Sequence, residues 1–201
     1  MNLRNVFVAI VGLCMAMPVL AATYKLDSAH SELGFNLKHL MLAKVKGTFN
    51  KYEGGFSYDE KKKELKDLEV KIQATSIDTN EPKRDEHLRS ADFFDVAQFS
   101  EIIFKSEKVV FQGSKKAKVT GPLTMHGVTK PVTLDVDIKG EVNDGNGNDK
   151  LVFEATGKIS RKDWGLSWNK TLDKGGVAVG DEVNITIEGQ ALKVKEEAPK
   201  K

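Results

Sequence analysis

The sequence has 201 residues, with 31 Lys and Arg against 29 Asp and Glu, and it contains one cysteine. The positive and negative charges are nearly balanced and interspersed, so the chain lacks the strongly basic surface that is typical of nucleic-acid-binding proteins. One cysteine excludes a disulfide within the chain, and the length is enough for a domain with its own hydrophobic core. The composition therefore predicts one globular domain that is stabilised by packing.

The amino terminus has the order of residues that is typical of a secretory signal peptide. Arg4 is the only charged residue before Lys25, and an apolar run is followed by Ala21-Ala22. The run is shorter than the ~20 residues that a membrane-spanning helix needs. We predict a signal peptide over residues 1–22, cleaved after Ala21 or Ala22, and an exported protein that is not integral to the membrane.

Cys14 lies within the apolar run and offers an alternative, because a lipoprotein signal would use it as the lipidated residue. Leu13 occupies the preceding position, where a small residue is required, and the apolar run continues beyond Cys14. Both features disfavour lipidation. The mature chain is then expected to contain no cysteine.

The stretch from Val119 to Ile138 has the clearest secondary-structure pattern in the chain. Apolar and polar residues alternate along its second half, as in a strand with one buried face. The segment His126-Gly127-Val128-Thr129 contains a glycine that can adopt positive φ, so we predict a β-hairpin that turns there. Leu134 should then point into the core and Asp135 into solvent. Because an isolated hairpin is unstable, its arms need further strands.

Other alternating or apolar segments supply candidates for these strands. They are residues 33–38, 45–58, 68–74, 102–104, 109–111, 151–159 and 183–194. Gly54-Gly55 indicates a bulge in the second segment, and the charged residues 59–67 predict a turn. Short strands that recur with little helix between them indicate a β-sandwich or a β-barrel.

One short helix is predicted around residues 80–90. Thr79 or Asn80 can cap its N-terminus, and Glu81 and Pro82 suit a first helical turn. The residues from Leu40 to Ala43 interrupt the first alternating segment and are compatible with a bend or a second short helix. Helix is therefore a minor component of the predicted fold.

Four separated segments, followed by a closing strand, resemble a known family. They are YKLDSAHSELGFNLKHLMLAKVKGTF, SIDTNEPKRDEHLRSADFFD, VTGPLTMHGVTKPVTLDV and ISRKDWGLSWN, with VGDEVNITIEGQ as the closing strand. In this order they resemble the YceI-like family of exported bacterial proteins, over nearly the whole mature chain. The resemblance implies an all-β fold, a single extended antiparallel β-barrel of lipocalin-like form over residues 23–193, with a charged tail at 194–201. The chain departs from the family pattern at Ser100, where proline is common, and at Ala43, where serine is common.

The same resemblance implies a function, since some family members enclose a polyisoprenoid or a similar amphiphile. We expect a periplasmic protein that sequesters or carries a polyisoprenoid, an isoprenoid quinone or a fatty-acid derivative, with no cofactor and no catalytic activity. The proposed apolar lumen is lined by Phe35, Leu37, Phe49, Ile72, Phe104, Leu123, Met125, Leu134, Trp164 and Trp168. The alternative is a stress-induced structural or partner-binding protein with a filled core. The oligomeric state, monomer or homodimer, stays open.

Three cationic side chains are candidates for contact with the head group of the ligand: Arg84, His87 and Arg161. Arg offers a forked set of donors and His a donor that switches with protonation. The competing interpretation of Arg84, Asp85, His87 and Arg89 is a solvated helix face with one internal ion pair. Trp164 and Trp168 suit either a lid over the lumen or a plug in the core.

Three other patterns are too weak to predict chemistry. Asp27-Ser28-Ala29-His30-Ser31 contains the residue types of a hydrolytic triad but no turn that would expose a nucleophile, so we interpret it as hydrogen bonding at a strand end. Asp144, Asn146 and Asn148 resemble the start of a calcium loop, but the glycine and glutamate that such a loop requires are missing. The four histidines lack the spacing of a metal site. We therefore expect neither a catalytic nor a metal site.

Overall fold

The computed structural model describes residues 21–173 and 175–195. Most of the predicted signal peptide, including Cys14, and most of the predicted charged tail lie outside the described residues. The strands are β1 (Ala22–Leu26), β2 (Glu32–His39), β3 (Ala43–Phe49), β4 (Tyr52–Asp59), β5 (Glu64–Gln73), β6 (Ile77–Asp78), β7 (Glu101–Lys105), β8 (Lys108–Gln112), β9 (Lys116–Met125), β10 (Val128–Asn143), β11 (Asp149–Ser160) and β12 (Val179–Lys193), and the helix is α1 (Pro82–Arg89).

Eight of these strands close into an antiparallel barrel. Their order around the ring is β1, β4, β5, β7, β9, β10, β11 and β12, and β12 pairs back onto β1 in the register Tyr24↔Lys193. Closure removes the free edges that an open sheet would leave on these strands. The predicted all-β fold, a single barrel with one short helix, is confirmed.

The barrel is extended at one end by β2, β3 and β6. Strand β12 pairs with β1 through residues 191–193 and with β2 through residues 179–188. Strand β2 then pairs with β3, and β3 with β6. We call the part around β1 and β4 the lower end of the barrel, and the part around β2, β3 and α1 the upper end.

The central hairpin is formed by β9 and β10, and its turn is shorter than predicted. Val128 already pairs with Met125, which leaves only His126 and Gly127 in the turn, with φ of 50° and 71°. Such a two-residue turn matches the twist of the strands. Positive φ is uncommon for histidine, and here His126 Nδ1 lies 3.0 Å from the carbonyl oxygen of Trp164.

The register of this hairpin places its side chains as predicted. Leu134 packs inside the barrel against the apolar core. Asp135 is exposed and forms an ion pair with Lys118, its register partner on β9. The inward and outward assignments of these two residues are therefore confirmed.

The helix lies where it was expected, but its cap differs. Pro82 is its first residue, and the carboxylate of Glu81 accepts hydrogen bonds from backbone N–H groups of the first turn. The prediction of Thr79 or Asn80 as the cap is wrong. Thr79 instead donates its backbone N–H to the buried carboxylate of Asp85, at 2.9 Å.

Three smaller predictions have different outcomes. The bulge is confirmed, because the register between β4 and β5 shifts between Gly55 and Ser57. The turn over 59–67 is too long, because Glu64 already pairs with Asp59. Lys66 and Asp67 are exposed on β5, so a charged residue is compatible with a strand there. Leu40 to Leu42 form a turn and no helix.

The lower end of the barrel is filled by aromatic packing. The rings of Tyr24 and Phe56 stack with centroids 5.3 Å apart, and Tyr58 packs beside them. Burial raises the pKa of the Tyr24 hydroxyl, and its hydrogen bond to Glu141 raises this pKa further, so the group stays protonated. Among the described residues, no helix has the length and apolar character needed to cross a membrane.

Candidate ligand-binding lumen

The barrel encloses two adjoining apolar cavities. The upper cavity has a volume of about 450 Å³ and the lower cavity about 140 Å³. The side chains that line both are apolar: Leu33, Ile72, Leu123, Ile185 and Ile187. The upper volume lies within the ~300–1,000 Å³ typical of ligand pockets. Together the cavities form one elongated lumen that ends on the aromatic packing of the lower end.

The mouth of the lumen lies beside α1. Lys83 is exposed to solvent and also lines the upper cavity, so the cavity reaches the surface there. Arg84 and His87, on the same helix, and His39, at the end of β2, also line the upper cavity. The charged side chains of the lining therefore all belong to the upper cavity, and the lower cavity is lined almost entirely by apolar side chains.

Arg84 is held at the mouth by the segment that precedes α1. Its Nε donates to Thr79 Oγ1 and its Nη2 to the Thr79 carbonyl oxygen, both at 2.7 Å. Asp85, which bonds Thr79 from the other side, is only 6% exposed. These bonds use two of the five N–H donors of a guanidinium group, so donors remain for a ligand.

His87 lies in an aromatic environment at the same mouth. Its ring is edge-on to Phe93 and Trp168, with centroids 5.1 and 4.9 Å away, and its Nε2 lies 2.9 Å from Asp92 Oδ2. Arg89, by contrast, donates to backbone carbonyl oxygens away from the cavity. The described residues contain no ion pair within the helix face, so that part of the competing interpretation is wrong.

Nine of the ten residues proposed for the lumen line it. Phe35, Leu37, Phe49, Met125 and Trp168 line the upper cavity, Phe104 and Leu134 the lower cavity, and Ile72 and Leu123 both. Trp164 lines neither, which corrects its assignment to the lumen. It is 2% exposed and donates Nε1–H to the Leu123 carbonyl oxygen at 3.0 Å, so it is a core plug.

Arg161 lies in the wall of the upper cavity but is occupied by the protein itself. It is 3% exposed and donates to the carbonyl oxygens of Gly180, Leu166 and Val179. Burial lowers the pKa of its guanidinium, and the neighbouring carboxylate of Asp181 acts in the opposite direction. Because these bonds tie the 165–180 segment to the barrel, its geometry suits a structural role better than contact with a head group.

Sequence reasoning missed two groups of lining residues. Val183, Ile185 and Ile187 alternate with polar residues along β12, so the period-two pattern contained the signal. Lys83 and Phe94 come from α1 and the loop after it, where no such period exists. Only the packing of α1 over the barrel brings them to the cavity.

The weak motifs have local roles. Asp27 to Ser31 form the turn between β1 and β2, and the interpretation as hydrogen bonding at a strand end holds, with His30 Nδ1 2.8 Å from Asp27 Oδ2. Asp144 accepts from the backbone N–H groups of Asn146 and Asn148, as expected of a hairpin turn. No cluster of metal-ligating side chains occurs in the part of the chain that the structure describes.

The comparisons with known proteins agree with this architecture. Residues 24–191 match the family model of the YceI-like domain. The chain belongs to the YceI-like family. A YceI protein of Salmonella newport is 40% identical over 171 residues, which cover 84% of this chain and 87% of the relative. A UPF0312 protein of Serratia proteamaculans is 41% identical over 183 residues, which cover 90% and 93%.

Solved structures share the fold. The crystal structure of Campylobacter jejuni YCEI protein matches with a TM-score of 0.68 and 34% identity, covering 84% of this chain and 96% of that one. A polyisoprenoid-binding domain from Saccharophagus degradans matches with a TM-score of 0.65, covering 87% and 99%. Its 16% identity supports a likeness of fold alone.

Proposed function

We propose that this YceI-like protein binds one long-chain amphiphile, a polyisoprenoid, an isoprenoid quinone or a fatty-acid derivative, and sequesters or carries it in the periplasm without catalysing a reaction. The observation that carries the proposal is the elongated, unfilled apolar lumen with cationic groups at its mouth. A protein whose interior served only stability would gain by filling this space, because cavities are destabilising. A polyisoprenoid-binding domain from Saccharophagus degradans has the same fold, so the fold is compatible with this ligand class.

The lumen accounts for affinity but only weakly for chain length. Each buried methylene contributes about 0.8 kcal/mol, from which the cost of ordering the chain is subtracted. Once a chain fills both cavities, further methylenes stay outside the lumen and add no burial. Chains longer than this therefore differ little in affinity. Selectivity has to come from the head group.

Arg84 is the best-placed residue for that selectivity, with Lys83 and His87 beside it. Its free guanidinium donors suit a phosphate or a carboxylate, which accept such bonds strongly. We therefore expect an anionic or strongly polar head group at the mouth. Arg161 is not needed for this contact.

Extraction of lipid from the purified protein tests occupancy of the lumen. Ile185 lines both cavities, whereas Thr186, the next residue on β12, is exposed. Ile185→Trp should fill the narrow region between the cavities and remove most co-purifying lipid, measured by mass spectrometry of organic extracts. Thr186→Trp adds the same side chain on the outside and should leave the lipid content unchanged.

Titration with geranylgeranyl phosphate in detergent tests the mouth. Trp168 lines the upper cavity and should report binding through its emission, while the buried Trp164 provides an internal reference. Trp168→Phe should abolish the saturable change, and Arg84→Gln should weaken binding about tenfold, or ~1.4 kcal/mol. If wild-type protein neither responds nor contains lipid, the structural or partner-binding alternative replaces this proposal.

Export is tested by the intact mass of protein made in a bacterial host and recovered from the periplasm. We expect a chain that begins after Ala21 or Ala22. A species that retains Met1, or one that begins at an acylated Cys14, would contradict the periplasmic part of the proposal.

A further inference from the structure

The upper end of the barrel carries a cluster of exposed apolar side chains outside the lumen. Leu40, Met41 and Leu42, in the turn between β2 and β3, are 46%, 56% and 94% exposed, and Val177 is 38% exposed. We call these four residues the apolar tip. They make up four of the seven large hydrophobic residues that are exposed in the described part of the chain, so this surface is concentrated at one place. Such concentration is typical of an interaction site.

The apolar tip is held in place by contacts with the 170–178 segment. The backbone N–H of Leu40 donates to the carbonyl oxygen of Ala178 at 2.8 Å. Met41 packs so closely on Gly176 that a β-carbon there would lie 3.2 Å from Met41 Cγ. Leu40 and Met41 have φ of 50° and 64°, a region that large apolar residues rarely adopt. Strained, exposed apolar residues are costly for folding, which favours a functional reason for them.

The strands that lead to the apolar tip are positively charged. No acidic residue occurs between Glu32 and Glu53. Lys38, Lys44 and Lys46 are exposed on the outer face of β2 and β3, and Lys38 and Lys44 are direct register partners. Like charges in this position repel each other. Within residues 21–173 and 175–195, these three lysines form no ion pair, whereas most lysines on the barrel strands are paired with carboxylates.

The apolar tip adjoins the upper cavity of the lumen. His39, the residue before the tip, is the register partner of Val179, and both line the upper cavity. Lys83 on α1, which also lines this cavity, adds a further exposed positive charge. Lys170 is exposed at the start of the segment that supports the tip, which also carries one exposed acid, Asp173. Asp181 and Glu182, on the neighbouring part of β12, pair with Lys162 and Lys158, so among the described residues they do not neutralise the lysines beside the apolar tip.

We propose that the apolar tip docks the barrel onto a bilayer surface that contains anionic lipids. Leu42 and Met41 insert at the boundary between head groups and acyl chains, and the flanking lysines lie against lipid phosphates. Apolar insertion and attraction to anionic lipid are the two contributions that hold peripheral proteins at membranes. The biological meaning rests on the proposed function, since docking brings the mouth of the lumen to the lipid that it would accept. The docking surface itself needs no occupant in the lumen.

Flotation of the purified mature protein with vesicles tests the docking surface. We expect binding to vesicles of equal parts phosphatidylcholine and phosphatidylglycerol, much weaker binding to phosphatidylcholine alone, and release by salt. Leu42→Ser should weaken binding about tenfold. Val142→Ser is the matched control, because Val142 is 51% exposed at the end of β10, away from the tip, and should change nothing. Lys38→Gln and Lys44→Gln should each weaken binding roughly fivefold.

The outcomes separate docking from ligand binding. Leu42→Ser should retain the response to geranylgeranyl phosphate in detergent, so loss of flotation with an intact titration supports a separate surface. Docking is wrong if wild-type protein does not float with anionic vesicles, or if Leu42→Ser and Val142→Ser behave alike, whatever the titration shows. It is also wrong if Leu42→Ser instead converts a dimer to a monomer in analytical ultracentrifugation, because the tip would then be an interface between copies. If wild-type protein floats with anionic vesicles but neither responds to the titration nor contains lipid, the lipid carrier is overturned and the docking surface stands.

Discussion

At the scale of single residues, the alternation along β10 decides which side chains reach the lumen. Leu134 lines the lower cavity, and the next residue, Asp135, pairs with Lys118 in solvent. A shift of one residue in register would exchange the two. Substitutions at these neighbouring positions should therefore have very different effects.

We predict that Leu134→Asp lowers the free energy of unfolding by at least about 3 kcal/mol, because it removes apolar burial and places a carboxylate without a partner in an apolar cavity. Asp135→Leu should change it by no more than about 0.5 kcal/mol, as is usual at exposed positions. Urea unfolding midpoints measure both. Equal losses would mean that the register of β10 is wrong.

A second residue-level feature is the ion pair where β12 changes partner from β1 to β2. Asp27 Oδ2 lies 2.9 Å from Lys150 Nζ, with side chains only 11% and 8% exposed. Burial raises the pKa of Asp27, but the hydrogen bonds and positive charges of Lys150 and His30 outweigh it and leave this pKa below its usual value. The pair therefore stabilises the fold only while Asp27 is ionised.

The sign of the pH dependence follows from the lowered pKa of Asp27. Its contribution should be complete above about pH 4, the usual range for aspartate in an unfolded chain, and should be lost as the pH falls through the lower pKa of the folded state. Asp27→Asn should cost up to about 3 kcal/mol at neutral pH, since it leaves Lys150 buried without a counter-charge. The difference between wild type and variant should shrink in acid. Unfolding free energies across pH measure this, and Asp173→Asn, at an exposed site, should show no such difference.

At the scale of elements, the turns depend on a few residues with positive φ. Gly127 and Gly113 have φ of 71° and 80°. An added β-carbon at Gly127 would lie 2.6 Å from Phe99 Cε1, whereas one at Gly113 would meet nothing within 4 Å. An alanine at Gly113 would therefore introduce backbone strain alone, whereas an alanine at Gly127 would introduce the same strain and a steric conflict with Phe99.

Gly113→Ala should cost about 1–2 kcal/mol, the strain of alanine in a left-handed conformation. Gly127→Ala should carry the same strain and at least about 1 kcal/mol more, because Phe99 has to move. Chemical denaturation of both variants gives the comparison. Equal costs would show that Phe99 shifts freely and does not fix the hairpin turn.

At the scale of the whole molecule, closure of the barrel depends on the last residues of β12. Ala191 is completely buried, and residues 191–193 pair with β1 on one side while 191–192 pair with β11 on the other. Without them the ring would open between β12 and β1. The residues beyond Lys195 belong to the predicted charged tail.

Truncation of the chain within β12 tests the pairing between β12 and β1. A chain that ends at Gln190 should lose about 10 °C or more in Tm, because it exposes the edges of two strands and the lower core. A chain that ends at Lys195 should unfold like the full-length mature protein. Thermal unfolding followed by circular dichroism distinguishes them. A stable protein ending at Gln190 would show that the barrel does not need this pairing.

The sequence predicted much of the site because the alternation of apolar and polar residues along a strand indicates which of its faces is buried. Phe35, Leu37, Met125 and Leu134 could be assigned to the interior from alternation alone, since each is flanked by polar or small residues. Trp164 could not be separated from Trp168 in this way. Both follow β11 without a regular period, Trp164 as the last residue of a short 3₁₀ helix, Arg161–Trp164, and Trp168 beyond it. The hydrogen bond of Trp164 to Leu123 fixes it in the core.

The sequence by itself determined the strand content, the central hairpin and which face of each strand is buried. These features depend on local patterning and turn chemistry, which act over a few residues. The tertiary structure decided whether the interior is filled or open, since inward side chains have the same pattern in either case and the space between them depends on how the barrel closes. It also decided which cations face the lumen. Arg84 keeps free N–H donors at the lumen, whereas Arg161 donates to backbone carbonyl oxygens. The two arginines cannot be distinguished from the sequence, because these partners depend on how the chain folds.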